Sequence, residues 1–188
     1  MNLRPQDVVV ALKLLASGTR VWTYADLGES LGMSASHVLM SVVRADASRL
    51  LDAAATQPPR GRRGRALFPE PNRANLKEFL IHGVKYAFPV ERGGPTRGVP
   101  TAESALPLNR HFPEPFPLPS VWPHAEGSTR GIAFSPLYKN VPSAALRDPK
   151  LHELLALVDA IREGRARERE IAIRELIARI DSVETGSQ

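Results

Sequence analysis

The stretch from Thr23 to Arg44 constrains the fold most, because it has the pattern of two short helices joined by a tight turn. Thr23 is placed to cap the first helix and Ser34 to cap the second. Gly32 between them supplies the left-handed conformation that ends a helix without a Cβ penalty. Apolar residues recur at the i, i+4 spacing that faces both helices onto one core: Leu27, Leu31, Val38 and Val42. The pattern predicts two helices that cross at a sharp corner.

With its surroundings, this segment resembles the winged helix-turn-helix DNA-binding domain of bacterial transcriptional regulators over residues 1–73. Arg4 to Ala16 predicts the preceding support helix, with Pro5 in its first turn. Arg20 to Trp22 is expected to form the short strand that precedes the second helix in such domains. The resemblance implies binding of double-stranded DNA. The alternative is a helix pair that serves only for packing or for binding a protein partner.

The outward face of the second helix reads base edges in such domains, usually through polar side chains. Here that face is expected to carry Ala35, Leu39 and Val43, which contact thymine methyl groups but form no bidentate hydrogen bonds. Either specificity comes partly from DNA shape and backbone contacts, or another part of the protein covers the helix. The candidate DNA-reading residues are the polar members of the helix: Ser34, Ser36, His37 and Arg44.

A basic segment follows the helix pair. Residues 57–73 hold five arginines against a single acid, Glu70. The net charge of +5 alone permits many partners, but the position of this segment matches the wing in the resemblance, where arginines reach phosphates or the minor groove. A solvated linker is the alternative. The candidate phosphate-contacting residues are Arg60, Arg62, Arg63 and Arg65.

Residues 72–87 predict a further helix, capped by Asn75 and ended by Pro89, that closes a DNA-binding unit over residues 1–88. Twelve of the seventeen prolines lie from Pro89 to Pro149, which excludes long helices from residues 89–148. We expect an extended, proline-rich strap there, with short strands near residues 120–122 and 130–135.

Two segments of this strap carry alternative interpretations. Residues 111–119, with the sequence HFPEPFPLP, are also compatible with a polyproline ligand for a protein partner. Residues 92–104, rich in glycine, predict an irregular surface loop, and the alternative is an anion-binding nest of backbone amides.

Residues 149–188 predict a C-terminal helical hairpin with a break at Gly164. Its apolar stripes, from Leu151 to Ile161 and from Ile171 to Ile180, are too wide to leave in water. They either pair with a second copy in a homodimer or pack on their own chain. The predicted fold is therefore mainly α with small β elements: an N-terminal winged helix-turn-helix, an irregular middle and a C-terminal hairpin.

The sequence contains no motif that indicates a catalytic site or a metal site. Cysteine is absent, the five histidines are scattered, and no G-x-S-x-G motif is present. No apolar stretch is long enough to span a bilayer. We therefore expect a cytoplasmic, DNA-binding transcriptional regulator with no enzymatic activity, cofactor or metal. The alternative is a protein-interaction module, such as an antitoxin-like or adaptor protein.

Overall fold

The computed structural model describes residues 2–52, 70–112 and 118–182. These residues are mainly helical with two small sheets, as the sequence predicts. Within the described residues, the helices are α1 (Pro5–Ser17), α2 (Tyr24–Leu31), α3 (Ala35–Ala47), α4 (Arg73–Glu78), α5 (Val84–Ala87), α6 (Val141–Arg147), α7 (Pro149–Glu163) and α8 (Ala166–Ser182). The strands are β1 (Leu51–Asp52), β2 (Glu70–Pro71), β3 (Arg92–Pro100), β4 (Ser120–Pro123) and β5 (Thr129–Phe134). A π-helical turn (Phe79–Gly83) joins α4 to α5, and two 3-10 turns (Ala102–Ser104 and Leu108–His111) lie between β3 and β4.

Helix α1 is the most deeply buried helix of the N-terminal part. Its residues from Val8 to Leu12 are at most 1% exposed. Helices α3 and α7 both pack against it, and full burial of each large aliphatic side chain stabilises the fold by about 1.5–3 kcal/mol. Buried apolar side chains from all three predicted segments of the chain form one continuous core.

Two local predictions in the N-terminal part are corrected by the structure. Residues Arg20 to Trp22 form no strand; the Trp22 side chain is buried, and the Arg20 guanidinium stacks 3.8 Å from the centre of its ring. Asn72, rather than Asn75, caps α4, because its side-chain oxygen accepts a hydrogen bond from the Asn75 backbone N–H at 3.0 Å. The Asn75 amide instead donates to the Arg49 carbonyl, also at 3.0 Å.

The middle of the chain contains a small closed sheet. Strand β3 pairs antiparallel with both β4 and β5, and β4 runs parallel to β5. The strands β4 and β5 lie close to where the sequence predicts them. Residues 92–104, however, were expected as an irregular loop and instead supply β3 and a 3-10 turn. Gly98 explains this, since a Cβ there would overlap the Trp122 carbonyl, so only glycine lets β3 lie this close to β4.

A buried polar cluster ties this sheet to α7. The Asp159 carboxylate, on α7, accepts hydrogen bonds from Trp122 Nε1 at 2.7 Å, Thr101 Oγ1 at 2.9 Å and Arg162 at 2.7 Å. Arg162 also donates to the backbone carbonyls of Phe88, Pro89 and Ser135. Because every buried charge has partners, the proline-rich segment is held against the helices despite having few helical or long β-ladder bonds.

The C-terminal hairpin forms as predicted, with α7 capped by Asp148 and Gly164 at its end. Its apolar stripes are covered by the same chain: α7 packs against α1, α5, α6 and α8. Leu151, Ile161 and Ile180 are each 0% exposed. Packing on its own chain is therefore the alternative that the structure adopts, and these stripes give no reason for a homodimer.

Among the described residues, no helix is long and apolar enough to cross a membrane.

Candidate nucleic-acid interface

The corner between α2 and α3 is built as the sequence predicts. The Thr23 hydroxyl accepts from the Asp26 backbone N–H at 3.1 Å, and the Ser34 hydroxyl accepts from the His37 backbone N–H at 3.3 Å. Gly32 adopts the left-handed conformation, with φ 64° and ψ 35°. Caps at both N-termini and a glycine at the turn fix the angle at which the second helix leaves the first.

The helix pair also requires a small residue inside α2. A Cβ on Gly28 would lie 2.5 Å from the Met33 carbonyl oxygen. The Met33 backbone N–H donates to the Gly28 carbonyl at 2.8 Å, and the Met33 side chain is 8% exposed. The turn is thereby closed over the core, and α3 is held in one orientation.

The outer face of α3 begins with three of the predicted DNA-reading residues. Ser34, Ser36 and His37 are all exposed. The Ser34 and Ser36 hydroxyls lie 3.0 Å apart. Because Ser34 is engaged in the helix cap, Ser36 and His37 are the polar side chains with capacity left for a bound molecule.

The rest of this outer face is apolar. Leu39 is 42% exposed, Met40 43% and Val43 40%. The sequence placed Leu39 and Val43 outward and did not consider Met40. Three neighbouring side chains on this face are therefore both apolar and partly exposed to solvent.

Arg44 is not on the outer face, and its assignment as a DNA-reading residue is therefore corrected. It is 6% exposed, and its guanidinium donates to both oxygens of Asp7 on α1, at 2.8 and 2.6 Å. It also donates to the Ser41 hydroxyl at 3.2 Å. The hydrogen bond to Asp7, with burial acting in the opposite sense, raises the pKa of Arg44. Its role is to bind α3 to α1.

No local sequence pattern predicts this pairing, since 37 positions separate the two residues. Asp7 is in the first turn of α1, where an acid is expected on helix-dipole grounds alone. Only the packing of α1 against α3 brings the carboxylate to the arginine.

Strand β1, which precedes the basic segment, pairs with strand β2, which lies near the end of that segment. Leu51 pairs with Pro71 and Asp52 with Glu70 in an antiparallel ribbon that follows α3 directly. The predicted phosphate-contacting residues lie outside the described residues: Arg60, Arg62, Arg63 and Arg65. Arg73 is already engaged, since it donates to the Ile180 carbonyl of α8 at 2.9 Å.

Helix α6 supports the corner from the opposite side, and sequence reasoning missed it. The side-chain amide of Asn140 donates to the Gly32 carbonyl, and Arg147 donates to the Ser30 carbonyl at 3.2 Å. These donors satisfy carbonyls at the C-terminal end of α2, which otherwise have no partner inside the helix. The proline-rich segment therefore contributes directly to the geometry of the helix pair.

A groove lies beside this corner, between α1, α2 and α6, and Trp22 is at its wall. Lys13 forms an ion pair with Asp148 at 2.7 Å, and its ammonium group lies 5.0 Å from the centre of the Trp22 ring. Arg20 covers the same ring. The two cations therefore stack on the Trp22 indole near the C-terminal end of α1.

Within the described residues, no three histidine, aspartate or glutamate side chains group closely enough to hold a metal ion. Comparison of the chain with protein-family models, with curated proteins and with solved structures found no match.

Proposed function

We propose that this protein binds duplex DNA through the α2–α3 pair and acts as a cytoplasmic transcriptional regulator. The observation that carries the proposal is the rigid corner, capped by Thr23 and Ser34 and turned at Gly32, with the outer face of α3 exposed. In helix-turn-helix proteins the second helix of such a pair enters the major groove. The support of α1 behind this pair and of α6 beside it favours a fixed docking geometry.

The chemistry of the outer face suits shape-led recognition with few direct base contacts. Ser36 and His37 donate or accept hydrogen bonds at base edges or phosphates, while Leu39 and Val43 contact thymine methyl groups. Arginine is absent from this face, because Arg44 is bound to Asp7. Most of the affinity would then come from phosphate contacts, and part of the specificity from the deformability of the DNA.

The basic segment supplies the phosphate contacts in this proposal. In the chain, α3 is followed by β1, and β1 pairs with β2. The wing of a winged helix lies between two such strands after the second helix. Four arginines lie between these strands in the sequence: Arg60, Arg62, Arg63 and Arg65. Each guanidinium that neutralises a phosphate releases counterions, so binding should weaken steeply as salt concentration rises.

A homodimer is part of the proposal, because helix-turn-helix regulators bind two half-sites about 34 Å apart through two-fold symmetry. The stripes of α7 and α8 are covered by their own chain, so the dimer would use another surface. Light scattering with and without a duplex of two half-sites tests this part: two chains per duplex support it, and one chain per duplex contradicts it.

The proposed function is tested by anisotropy titrations of labelled duplexes from the upstream region of the protein's own gene. If His37 contacts a base, His37→Ala should reduce the difference in binding free energy between the specific duplex and an unrelated duplex by about 1–3 kcal/mol. Replacement of the four wing arginines by alanine should weaken binding to every duplex alike and reduce the salt slope by about 0.9 per lost contact. No binding at low salt would refute the proposal.

A protein-interaction module is the second candidate, and the exposed apolar residues of α3 favour it. Leu39, Met40 and Val43 are each about two-fifths exposed and lie on one helix face. A partner helix or groove would bury them as apolar anchors, in the way that antitoxin-like and adaptor proteins bind their targets. Both candidate functions use this face. A single substitution there can distinguish them, because it is expected to affect DNA binding and partner binding in opposite ways.

That substitution is Met40→Lys. A lysine there adds a cation to the outer face of α3, which should strengthen duplex binding and increase its salt dependence. In a protein-interaction module the same lysine would bury an unpaired charge and abolish the complex. Stronger DNA binding supports the regulator, and unchanged DNA binding with loss of a protein partner supports the module.

A further inference from the structure

Two arginines lie directly opposite each other on the small closed sheet. Arg97 of β3 pairs with Arg130 of β5 in antiparallel register. Side chains at such positions project from the same face, with Cβ atoms about 4.5–5.5 Å apart. Both residues are exposed. The two guanidinium groups therefore share one small area of the protein surface.

Neither arginine has an acidic partner within the described residues. Arg92, at the start of β3, forms an ion pair with Glu163 at 2.6 Å, whereas Arg97 and Arg130 form none. The nearest acid in the β4–β5 turn, Glu126, forms no ion pair with either. Like charges directly opposite each other destabilise a sheet. The free protein therefore carries a repulsion that an anion at this place would relieve.

Glycines fix the backbone beneath the two arginines. Gly98 follows Arg97, and Gly131 follows Arg130. A Cβ on Gly98 would overlap the Trp122 carbonyl of β4, and a Cβ on Gly131 would overlap the Pro119 carbonyl just before β4. The strands are thus packed tightly on the glycine side. Because successive side chains alternate between faces, Arg97 and Arg130 project from the other face, on a rigid support.

The surroundings of the pair fit a polyanion better than a protein surface. Gly94, three residues before Arg97 on β3, is exposed, and a Cβ placed there would have open space around it. Protein interfaces rely on apolar or aromatic anchors at their centre. The same-face neighbours of the pair in register are Pro95 and Ile132; neither is aromatic, and Ile132 is only partly exposed. Guanidinium groups match phosphate oxygens in bidentate geometry.

We propose that Arg97 and Arg130 form a second phosphate-binding site, which contacts the backbone of duplex DNA outside the α2–α3 pair and the basic segment. This inference rests on the proposed function, since the bound molecule is the same duplex. It assigns to the proline-rich middle a share of the DNA contact. It also requires that the protein cover more of the duplex than a helix-turn-helix and a wing alone.

The test measures duplex affinity as a function of salt for the full chain and for Arg97→Ala/Arg130→Ala. The slope of log K against log salt should fall by about 1.8 if both arginines neutralise a phosphate. The matched control is Arg167→Ala/Arg174→Ala, which removes the same charge from the exposed face of α8. An unchanged slope in Arg97→Ala/Arg130→Ala, or an equal loss in the control, overturns the inference.

A charge reversal separates binding from folding. Arg130→Glu places a carboxylate opposite Arg97, so the thermal midpoint of the free protein should rise while duplex affinity falls at least tenfold at low salt. A lower midpoint or unchanged affinity contradicts the site. If the unmodified chain binds no duplex at all, the proposed function fails as well. If the unmodified chain binds duplex DNA and the Arg97 and Arg130 variants bind it with the same affinity and salt slope, only the proposed second site is refuted.

Discussion

At the scale of single residues, the buried pair of Asp7 and Arg44 binds α3 to α1. Asp7→Asn leaves the Arg44 guanidinium buried without its counter-charge, and breaking a buried pair in this way costs about 3–5 kcal/mol. Urea unfolding should report a loss of that size. Replacing both residues with apolar ones of similar volume, as in Asp7→Leu/Arg44→Met, should recover much of it. A single-variant loss below about 1 kcal/mol would contradict the burial of this pair.

Asp148 makes a pH-dependent contribution to stability. Burial opposes its charged form, but hydrogen bonds from Lys13 and from the backbone N–H of Leu151 outweigh this and lower its pKa below the ordinary 3.8. A lowered pKa in the folded state means that the contribution is complete above pH 3.8 and is lost as the pH falls through the folded value.

We therefore expect Asp148→Asn to reduce the change in unfolding free energy between about pH 4 and pH 2. The dependence will not vanish, because the Arg179 hydrogen bond lowers the pKa of Glu175 in the same sense. Urea titrations at each pH measure the effect. A variant whose unfolding free energy falls as steeply as that of the parent would show that Asp148 is not responsible.

At the scale of elements, the turn at Gly32 and the start of α6 act together. A Cβ at position 32 would lie 2.8 Å from the Asn140 side-chain nitrogen, and the left-handed backbone adds about 1–2 kcal/mol of strain. Gly32→Ala should therefore destabilise the protein. In an Asn140→Ala background the same change should cost less, because the closest contact, to the side-chain amide, is removed and only the contact to the position-140 Cβ at 3.2 Å remains. A double-mutant cycle measures the coupling, and additive effects would contradict the contact.

The elements that the sequence predicted correctly are those determined by local signals. The caps at Thr23 and Ser34, the turn at Gly32 and the break at Gly164 each depend on residues within a few positions. Helices with strong apolar periodicity were found for the same reason. These signals placed the corner of the candidate site without knowledge of the rest of the fold.

The incorrect predictions have a common physical origin in long-range packing. Arg44 was placed outward because the sequence cannot show that Asp7 would meet it. Residues 92–104 were expected to be irregular because their glycines suggest a loop, whereas Gly98 permits a close approach to β4. The contribution of Asn140 to the corner arises in the same way, since it reaches Gly32 across more than a hundred positions.

At the scale of the whole molecule, the C-terminal hairpin completes the core that supports the helix pair. Helix α7 packs directly on α1, and Leu151, Leu155 and Ile161 are at most 1% exposed. A chain ending at Asp148 should therefore lose cooperative unfolding, because α1 would expose an apolar face to water. Circular dichroism during urea titration measures this. A truncated chain that unfolds cooperatively at the midpoint of the full chain would show that α1 is stable without the hairpin.

Photo-cross-linking tests directly whether the outer face of α3 contacts duplex DNA. A photoreactive side chain replaces Ser36 on α3 in one variant and Tyr86, which is 78% exposed on α5, in the control. Each full-length variant is bound to labelled upstream duplex and irradiated. We expect a covalent DNA adduct from position 36 and little or none from position 86. Duplex that binds but cross-links only from position 86, or from neither, would contradict this contact.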